Sequence, residues 1–534
     1  MPTQTFDWQL PAHFNFGGDV VDRWAADPSR IALLWSNATG REETYTYADM
    51  ARLSNRFANL LASHGVARGD RVIVMLPRVP QWQVALVGCL KLGAIPIPCI
   101  DMLTARDLAY RVEHAGAVAV LTTQANAPKF EDIRGTLRTR IVIGDAPGWT
   151  RYDADMAAAD EGFDPVAMDI DEPAIIYYTS GSTGHPKGVT HAARSLYAWR
   201  VSAEHWLSLQ AGDVMWCTAD TGWSKAGTSI LFGPWSRGAT VVFHDGPFDA
   251  RRRLELIQHH RVNVFCGANT EFRRLLQEDV SAFDLRSLKL AVSAGESVNP
   301  AVVKQWEAVT GVPLREAYGQ TETLMTVLNQ PGRPPRQGSM GQAAPGCELA
   351  IVDEQGQVQP AGAEGALALR LPCPQLMLQY WDDPARTAAS RVAGPDGEWF
   401  LTGDLAVRDA DGYFFYRGRN DDVINSAGYR IGPLEVENAL MEHAAVQECA
   451  VVPSPDDERG EVVKAYVVLR DATQAGPALA AELQRFVKAV TAPYKYPRRI
   501  EFIDELPKTA SGKVLRRVLK ARELEGPPGL LNPS

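Results

Sequence analysis

The order of apolar and polar positions divides the chain into three textures. From Thr46, Leu53, Phe57, Leu60 and Leu61 fall on one face at helical spacing, and Gly65 closes the run. Residues 72–76 are continuously apolar over a strand's length, 80–92 return to a helix, and 95–97 begin another strand. Further strands at 117–122 and 140–143 continue the alternation, which predicts a parallel sheet with helices on both faces. A polar connector, 160–171, leads to apolar runs at 174–178, 214–218, 240–243, 262–266 and 289–293, read as a second set of strands among helices. From about Gly338 the runs shorten (349–352, 366–371, 400–402, 413–416), the texture of a small β-rich subdomain. After the charged, glycine-containing stretch 417–422, the pattern reads helix 435–443, strand 446–452, strand 462–469 and helix 479–490. That is an α+β domain of independent size.

A length of 534 residues is too great for one core. The boundaries expected are 1–420 for an N-terminal domain, 421–525 for a C-terminal domain and 526–534 for a disordered tail. A net charge of −10 argues against nucleic acid as a partner, because phosphate neutralisation needs a basic face. Seven scattered cysteines with no Cys-x-x-Cys pair fit a reducing compartment better than a disulfide framework or a zinc site. No secretory or transit pattern is visible, and the most apolar stretch, 84–100, contains Lys91 and two prolines. The expectation is a soluble, cytoplasmic protein.

Candidate chemistry centres on residues 177–188. An apolar strand runs into Thr179, Ser180, Gly181, Ser182, Thr183, Gly184 and, after His185-Pro186, Lys187-Gly188. Glycines let backbone N–H groups converge, hydroxyls add donors and the lysine adds a full charge, which suits a polyphosphate. The spacing is not that of a Walker A loop. An ordinary turn also favours Gly and Ser, but rarely follows a buried strand with this many donors. The polar ends 293–297 and 318–323 follow other apolar runs, where open α/β sheets place ligands.

Five segments in order, 179–188, 318–323, 402–404, 417–422 and 507–513, resemble the adenylate-forming superfamily of acyl- and aryl-CoA synthetases, luciferases and peptide-synthetase adenylation domains. Residues 220–223, 293–297, 426–433, 459–465 and 492–498 look most like its medium-chain acyl-CoA synthetases. The resemblance implies an α/β fold: a large N-terminal domain of two α/β sheet subdomains plus a small β-rich subdomain, with a mobile α+β C-terminal domain. It implies an AMP-forming carboxylate–CoA ligase acting by domain alternation, with ATP, Mg2+ and coenzyme A. Lys513 would serve the α-phosphate and attacking carboxylate, and Glu322 would hold the magnesium. Nucleotide contacts would come from Thr179–Gly184 and Lys187, from Gly295, Glu296 and Ser297, and from Ala317, Tyr318, Gly319, Gln320 and Thr321. Asp404, Arg419 and Arg430 complete that set. Coenzyme A would meet Ala427, Gly428, Tyr429, Arg459, Lys488 and Tyr496, with Gly428 at the thiol and Asp421 as the hinge.

Trp223, Thr228, Met102, Gly319, Leu324 and Met325 are the candidate acyl-pocket walls. Acetate-specific relatives carry tryptophan at the position matching Gly319, so glycine is expected to leave volume for a larger acid. Met102 and Thr228 depart from the amide and aromatic of vertebrate medium-chain members, leaving medium-chain, branched and aromatic acids all open. An enzyme loading a carrier protein and a non-catalytic member of the fold are the alternatives. Intact Lys187, Glu322, Asp404 and Lys513 weigh against the second. A homodimer, and a lysine acetyltransferase neutralising Lys513, are the remaining partners entertained.

Overall fold

A computed structural model describes residues 6–133, 135–179, 186–295, 298, 300–330, 332–419, 422, 424–426, 429–456, 459–491, 495–509 and 512–525. The chain separates into two compact units: Met1–Leu349 with Arg370–Arg391, and Ala350–Leu369 with Val392–Ser534. The β-rich segment is therefore grouped with the C-terminal part of the chain. The expected tail, 526–534, lies outside the described residues.

The first unit is α/β, as the alternation predicts. Its five-stranded sheet runs Ile95–Cys99, Arg71–Met75, Ala119–Thr123, Thr139–Ile143, Thr150–Arg151, every pair parallel. A second sheet has a parallel centre (Leu314–Gln320, Leu290–Ala294, Val264–Cys266, Val214–Cys217, Thr240–Asp245, Ile31–Asn37). Glu42–Thr46 pairs antiparallel at one edge, and Leu324–Leu328 folds back antiparallel on Leu314–Gln320. The helix Tyr47–Ser63 starts at a reciprocal capping box, Thr46 with Asp49, and buries Met50, Phe57, Leu60 and Leu61.

Two local expectations need correction. The strand Pro173–Thr179 belongs to neither parallel sheet. It forms an antiparallel hairpin with Lys187–Ala192 in a three-stranded sheet completed by Gln379–Tyr380. The glycine-rich segment thus links two paired strands, and the register Thr179↔Lys187 places its two feet side by side. Lys91, read as an interruption, is fully buried in the helix Gln81–Leu92. Its ammonium donates to Asp22 at 2.6 Å, Asn55 at 2.6 Å and Ala51 O at 3.2 Å, so three acceptors replace water.

In the second unit, Leu349–Val352, Glu364–Arg370, Gly397–Arg408 and Tyr413–Arg419 are neighbours in that order around buried Trp399. A five-stranded sheet follows, ordered Tyr429–Ile431, Ile424–Ser426, Gly460–Leu469, Val446–Asp456, with Arg499–Phe502 parallel to Gly460–Leu469. Alternate residues of Gly460–Leu469 point into different cores. Val463, Ala465 and Val467 pack with the helices Pro433–Met441 and Pro477–Val490, while Tyr466 and Val468 pack with Leu519 of Arg516–Glu525.

Candidate active site

The site grows from the foot of the hairpin. Lys187 Nζ donates to Glu322 Oε1 at 2.5 Å, and the Tyr380 hydroxyl lies 2.9 Å from that oxygen and 3.1 Å from the ammonium. The ammonium also sits 4.7 Å from the centre of the Tyr380 ring. Glu322 is 7% exposed; burial is the largest single influence and raises its carboxyl, but the Lys187 charge together with hydrogen bonds from Lys187, backbone and Tyr380 holds it below the usual range. It is therefore ionised, a hard oxygen donor of the kind Mg2+ selects. A cavity of about 60 Å3 adjoins Lys187, with Tyr110, His114, Trp381 and Arg386 in its wall.

The turn carrying Glu322 is held on every side. Gln320 N donates to Thr323 Oγ1 at 3.2 Å, and His191 Nε2 donates to Thr321 O at 2.7 Å. Burial pushes His191 down to about 4, so the ring is the neutral Nε2–H form. Below the turn, Gln375 Nε2 reaches Thr323 O and Met325 O at 3.0 Å each, and Met377 N donates to Glu322 O at 2.7 Å. Ser224 Oγ meets Thr321 Oγ1 at 3.3 Å, and Lys225 Nζ donates to Ala294 O at 3.0 Å, beside Gly295. Ala317 and Ala294 are register partners, which brings the two candidate nucleotide segments onto adjacent parallel strands.

Tyr380, His191, Gln375 and Lys225 were not among the residues expected from sequence. Tyr380 is 58 residues from Glu322, and no spacing rule joins them; the strand pairing Tyr380↔Val189 sets Tyr380 beside Lys187, and Met377 N to Glu322 O ties the same segment to Glu322.

Gly319 is at the place expected but for another reason. A Cβ there would lie 1.8 Å from Leu324 O and 2.4 Å from Leu324 C. The space a side chain would enter is occupied by backbone, where a register shift and Leu324 at φ 57° tighten the hairpin. Gly319 therefore leaves no empty volume at its own Cβ position, contrary to expectation. Of the other expected walls, Leu324 and Met325 are buried and Trp223 is half-buried. Thr228 is buried with its hydroxyl donating to Lys225 O at 3.1 Å. Met102 is 68% exposed in the turn after Ile95–Cys99, a position at odds with an enclosed wall.

In the second unit, Asp404 is 3% exposed opposite Arg419 in the register, with Arg419 Nη1 at 3.3 Å and the Tyr416 hydroxyl at 3.4 Å. Gly403, at φ 73°, turns the strand there. Lys513 is exposed on a loop closed by Thr509 N to Lys513 O at 2.7 Å and Lys513 N to Thr509 Oγ1 at 3.1 Å. The following helix is anchored by Arg516, which donates to both Glu437 oxygens at 2.6 and 2.7 Å, and by Lys520 to Asp422 at 2.8 Å. Lys488 Nζ is 3.9 Å from the Tyr496 ring centre, and the register Ser426↔Gly460 brings the strand after Arg459 against Ile424–Ser426. Residues 180–184, Glu296, Ser297, Asp421, Ala427 and Gly428 lie outside the described residues, as do the side chains of Tyr429 and Arg430.

The sequence model of the AMP-binding enzyme family matches residues 21–381, and that of the AMP-binding enzyme C-terminal domain matches 435–513. The chain belongs to this adenylate-forming family, in its acyl-coenzyme A synthetase branch. It is 41% identical to acyl-coenzyme A synthetase ACSM3, mitochondrial, of Mus musculus over 541 residues, covering 97% of this chain and 92% of that protein. Among solved structures, the anthranilate CoA ligase AuaEII with anthranoyl-AMP superposes with a TM-score of 0.86 at 31% identity, covering 96% of this chain and 98% of that one. A benzoate CoA ligase from Burkholderia xenovorans LB400 superposes with a TM-score of 0.83 at 29% identity, covering 95% and 99%.

Proposed function

We propose that this chain activates a medium-chain, branched or aromatic carboxylic acid with ATP and passes the acyl group to coenzyme A. In the first step a carboxylate oxygen bonds to the α-phosphorus and pyrophosphate leaves. In the second the coenzyme A sulfur bonds to the acyl carbon, its proton is lost and AMP leaves. The observation that carries this reading is the Lys187–Tyr380–Glu322 cluster at the foot of the hydroxyl-rich hairpin, in a chain of this family.

The first step drives an anion onto a polyanion, a repulsion of ~4 kcal/mol per charge pair at 4 Å and an effective dielectric of 20. Lys187 meets the outer phosphates, and Lys513 meets the α-phosphate and the entering carboxylate. Glu322 is the residue that would hold Mg2+, which supplies charge neutralisation on the phosphates when bound. Asp404 accepts from the ribose hydroxyls, with Arg419 beside it. The lid comprises 421–525, turning at Asp421 between a state presenting Lys513 and one presenting 427–429 with Arg459, Lys488 and Tyr496 to coenzyme A.

Among the described residues, no helix is long and apolar enough to cross a membrane. The seven cysteines are free; the compartment proposed here is the cytoplasm, and the ACSM3 relative is named as mitochondrial. A homodimer and acetyl control of Lys513 complete the proposal. Carboxylate-dependent exchange between ATP and pyrophosphate, followed by thioester formation with free coenzyme A and no carrier protein, is the test. Exchange without thioester would make the chain a carrier loader, and neither activity across a panel of acids would make it a non-catalytic member of the fold.

A further inference from the structure

Far along the sequence from every residue assigned above, three donor side chains of the first unit converge. Glu42 begins the edge strand Glu42–Thr46, and His259 and His260 end the helix Ala250–His259. The Glu42 carboxylate is 3.2 Å from His259 Nε2, and the two imidazoles meet edge to face with centroids 4.6 Å apart. One donor atom from each of the three residues lies within 4.8 Å of the other two. Independently, His260 Nε2 is buried and has no hydrogen-bond partner, whereas buried ring nitrogens ordinarily have one.

We propose that Glu42, His259 and His260 bind one divalent transition-metal ion of the zinc class, leaving its remaining coordination positions to water. Two imidazoles and a carboxylate are the donors such ions select; Mg2+ and Ca2+ take oxygen throughout. Ligands ~2.1 Å from a tetrahedral ion stand ~3.4 Å apart, close to the separation already present between Glu42 and His259. Consecutive residues of a regular helix point about 100° apart. At the helix end His260, with φ −84° and ψ 1°, leaves the helical path, which lets neighbouring imidazoles turn toward one ion. The carbonyl end of the helix favours a cation there. The opposing charge is Arg252, whose guanidinium is held 3.3 Å from Glu255. A bound ion would tie the edge strand to the helix and stabilise the folded chain by mass action.

The test titrates the chelator-stripped full-length protein with Zn2+ by calorimetry and with Co2+ by visible absorption. One equivalent should bind, with Co2+ bands of a low-coordinate nitrogen–oxygen site. Glu42→Gln and His259→Gln, both on exposed side chains, should each weaken binding ~10-fold or more and diminish those bands. Zn2+ should raise the thermal midpoint of the parent but not of His259→Gln. Equal affinity in parent and both variants would assign binding to scattered surface groups and overturn the proposal, as would no binding by the parent. His260→Ala is decisive only if it folds; the two exposed variants settle the matter without it.

Discussion

Glu322 and Lys513 carry the two charges on which the proposed chemistry turns, and the fold houses them in opposite ways. Glu322 is buried in a turn gripped by Lys187, Tyr380, Gln375, Met377 and His191, and its ionised form is already favoured. Lys513 projects from an exposed loop whose own backbone contacts run to Thr509, ahead of a helix fastened by Arg516 and Lys520. A buried charge needs its partners permanently, because removing one leaves an uncompensated ion in a poor solvent. An exposed ammonium can be presented and withdrawn with little desolvation. The contrast teaches that one charge is fixed by its burial, while the other carries no such constraint and suits the delivered role proposed for it.

Replacing each tests that contrast most severely. Lys513→Ala should lower carboxylate-dependent ATP–pyrophosphate exchange ~10²-fold or more, yet leave thioester formation from supplied acyl-adenylate largely intact, with an unchanged melting temperature. Equal loss in both half-reactions would end the division of labour. Glu322→Gln should also depress exchange ~10²-fold, but with a clear fall in thermal stability, since half-buried Lys187 loses its counter-charge. A Glu322→Gln protein as stable as the parent would mean that the ion pair is not built into the fold.

Gly319→Ala asks whether the turn is as tight as it looks. With backbone 1.8 Å from the new Cβ, it should melt well below the parent and lose exchange with every acid. A stable variant with altered acid preference would show instead that Gly319 opens onto acyl-binding space.

Tyr380→Phe removes a hydroxyl shared by Lys187 and Glu322. A hydrogen bond to a charged group is worth about 1.5–3 kcal/mol, so the KM for Mg-ATP should rise ~10-fold. No change in KM would reduce Tyr380 to a packing residue.

The smallest effect concerns Glu316, on the strand leading to the same turn and accepting from Val298 N at 2.6 Å. Burial pushes its carboxyl up to about 7, against 4.5 when unfolded. Between those values the folded chain binds the extra proton, so stability falls as pH rises from 4.5 to about 7 and then levels. Glu316→Gln keeps an acceptor without the titration and should flatten that part of the melting curve against pH. An identical profile in parent and variant would rule Glu316 out.

Legibility along the chain follows the range of the forces involved. Apolar periodicity revealed the parallel sheets and the helices, because burying a face is a local demand repeated every two or 3.6 residues. The ordered polar segments revealed the family, and drew attention to Lys187, Glu322, Asp404 and Lys513 as candidates. Two matters were out of reach of any local pattern. Pairing of Pro173–Thr179 with Lys187–Ala192, instead of with a parallel sheet, depended on which strand edges were open. Lys91 looked like a break in an apolar run until Asp22 and Asn55, distant in sequence, closed around it.

By itself, then, the order of residues determined the α/β class, the β-rich and α+β segments, and the kind of anion chemistry this chain is suited to. Only the tertiary structure decided that Tyr380 joins Lys187 to Glu322, that Gly319 answers to backbone crowding, and that Met102 faces solvent. Those outcomes rest on contacts between residues far apart in the chain. Their energies depend on distances of a few ångströms that only the folded packing sets.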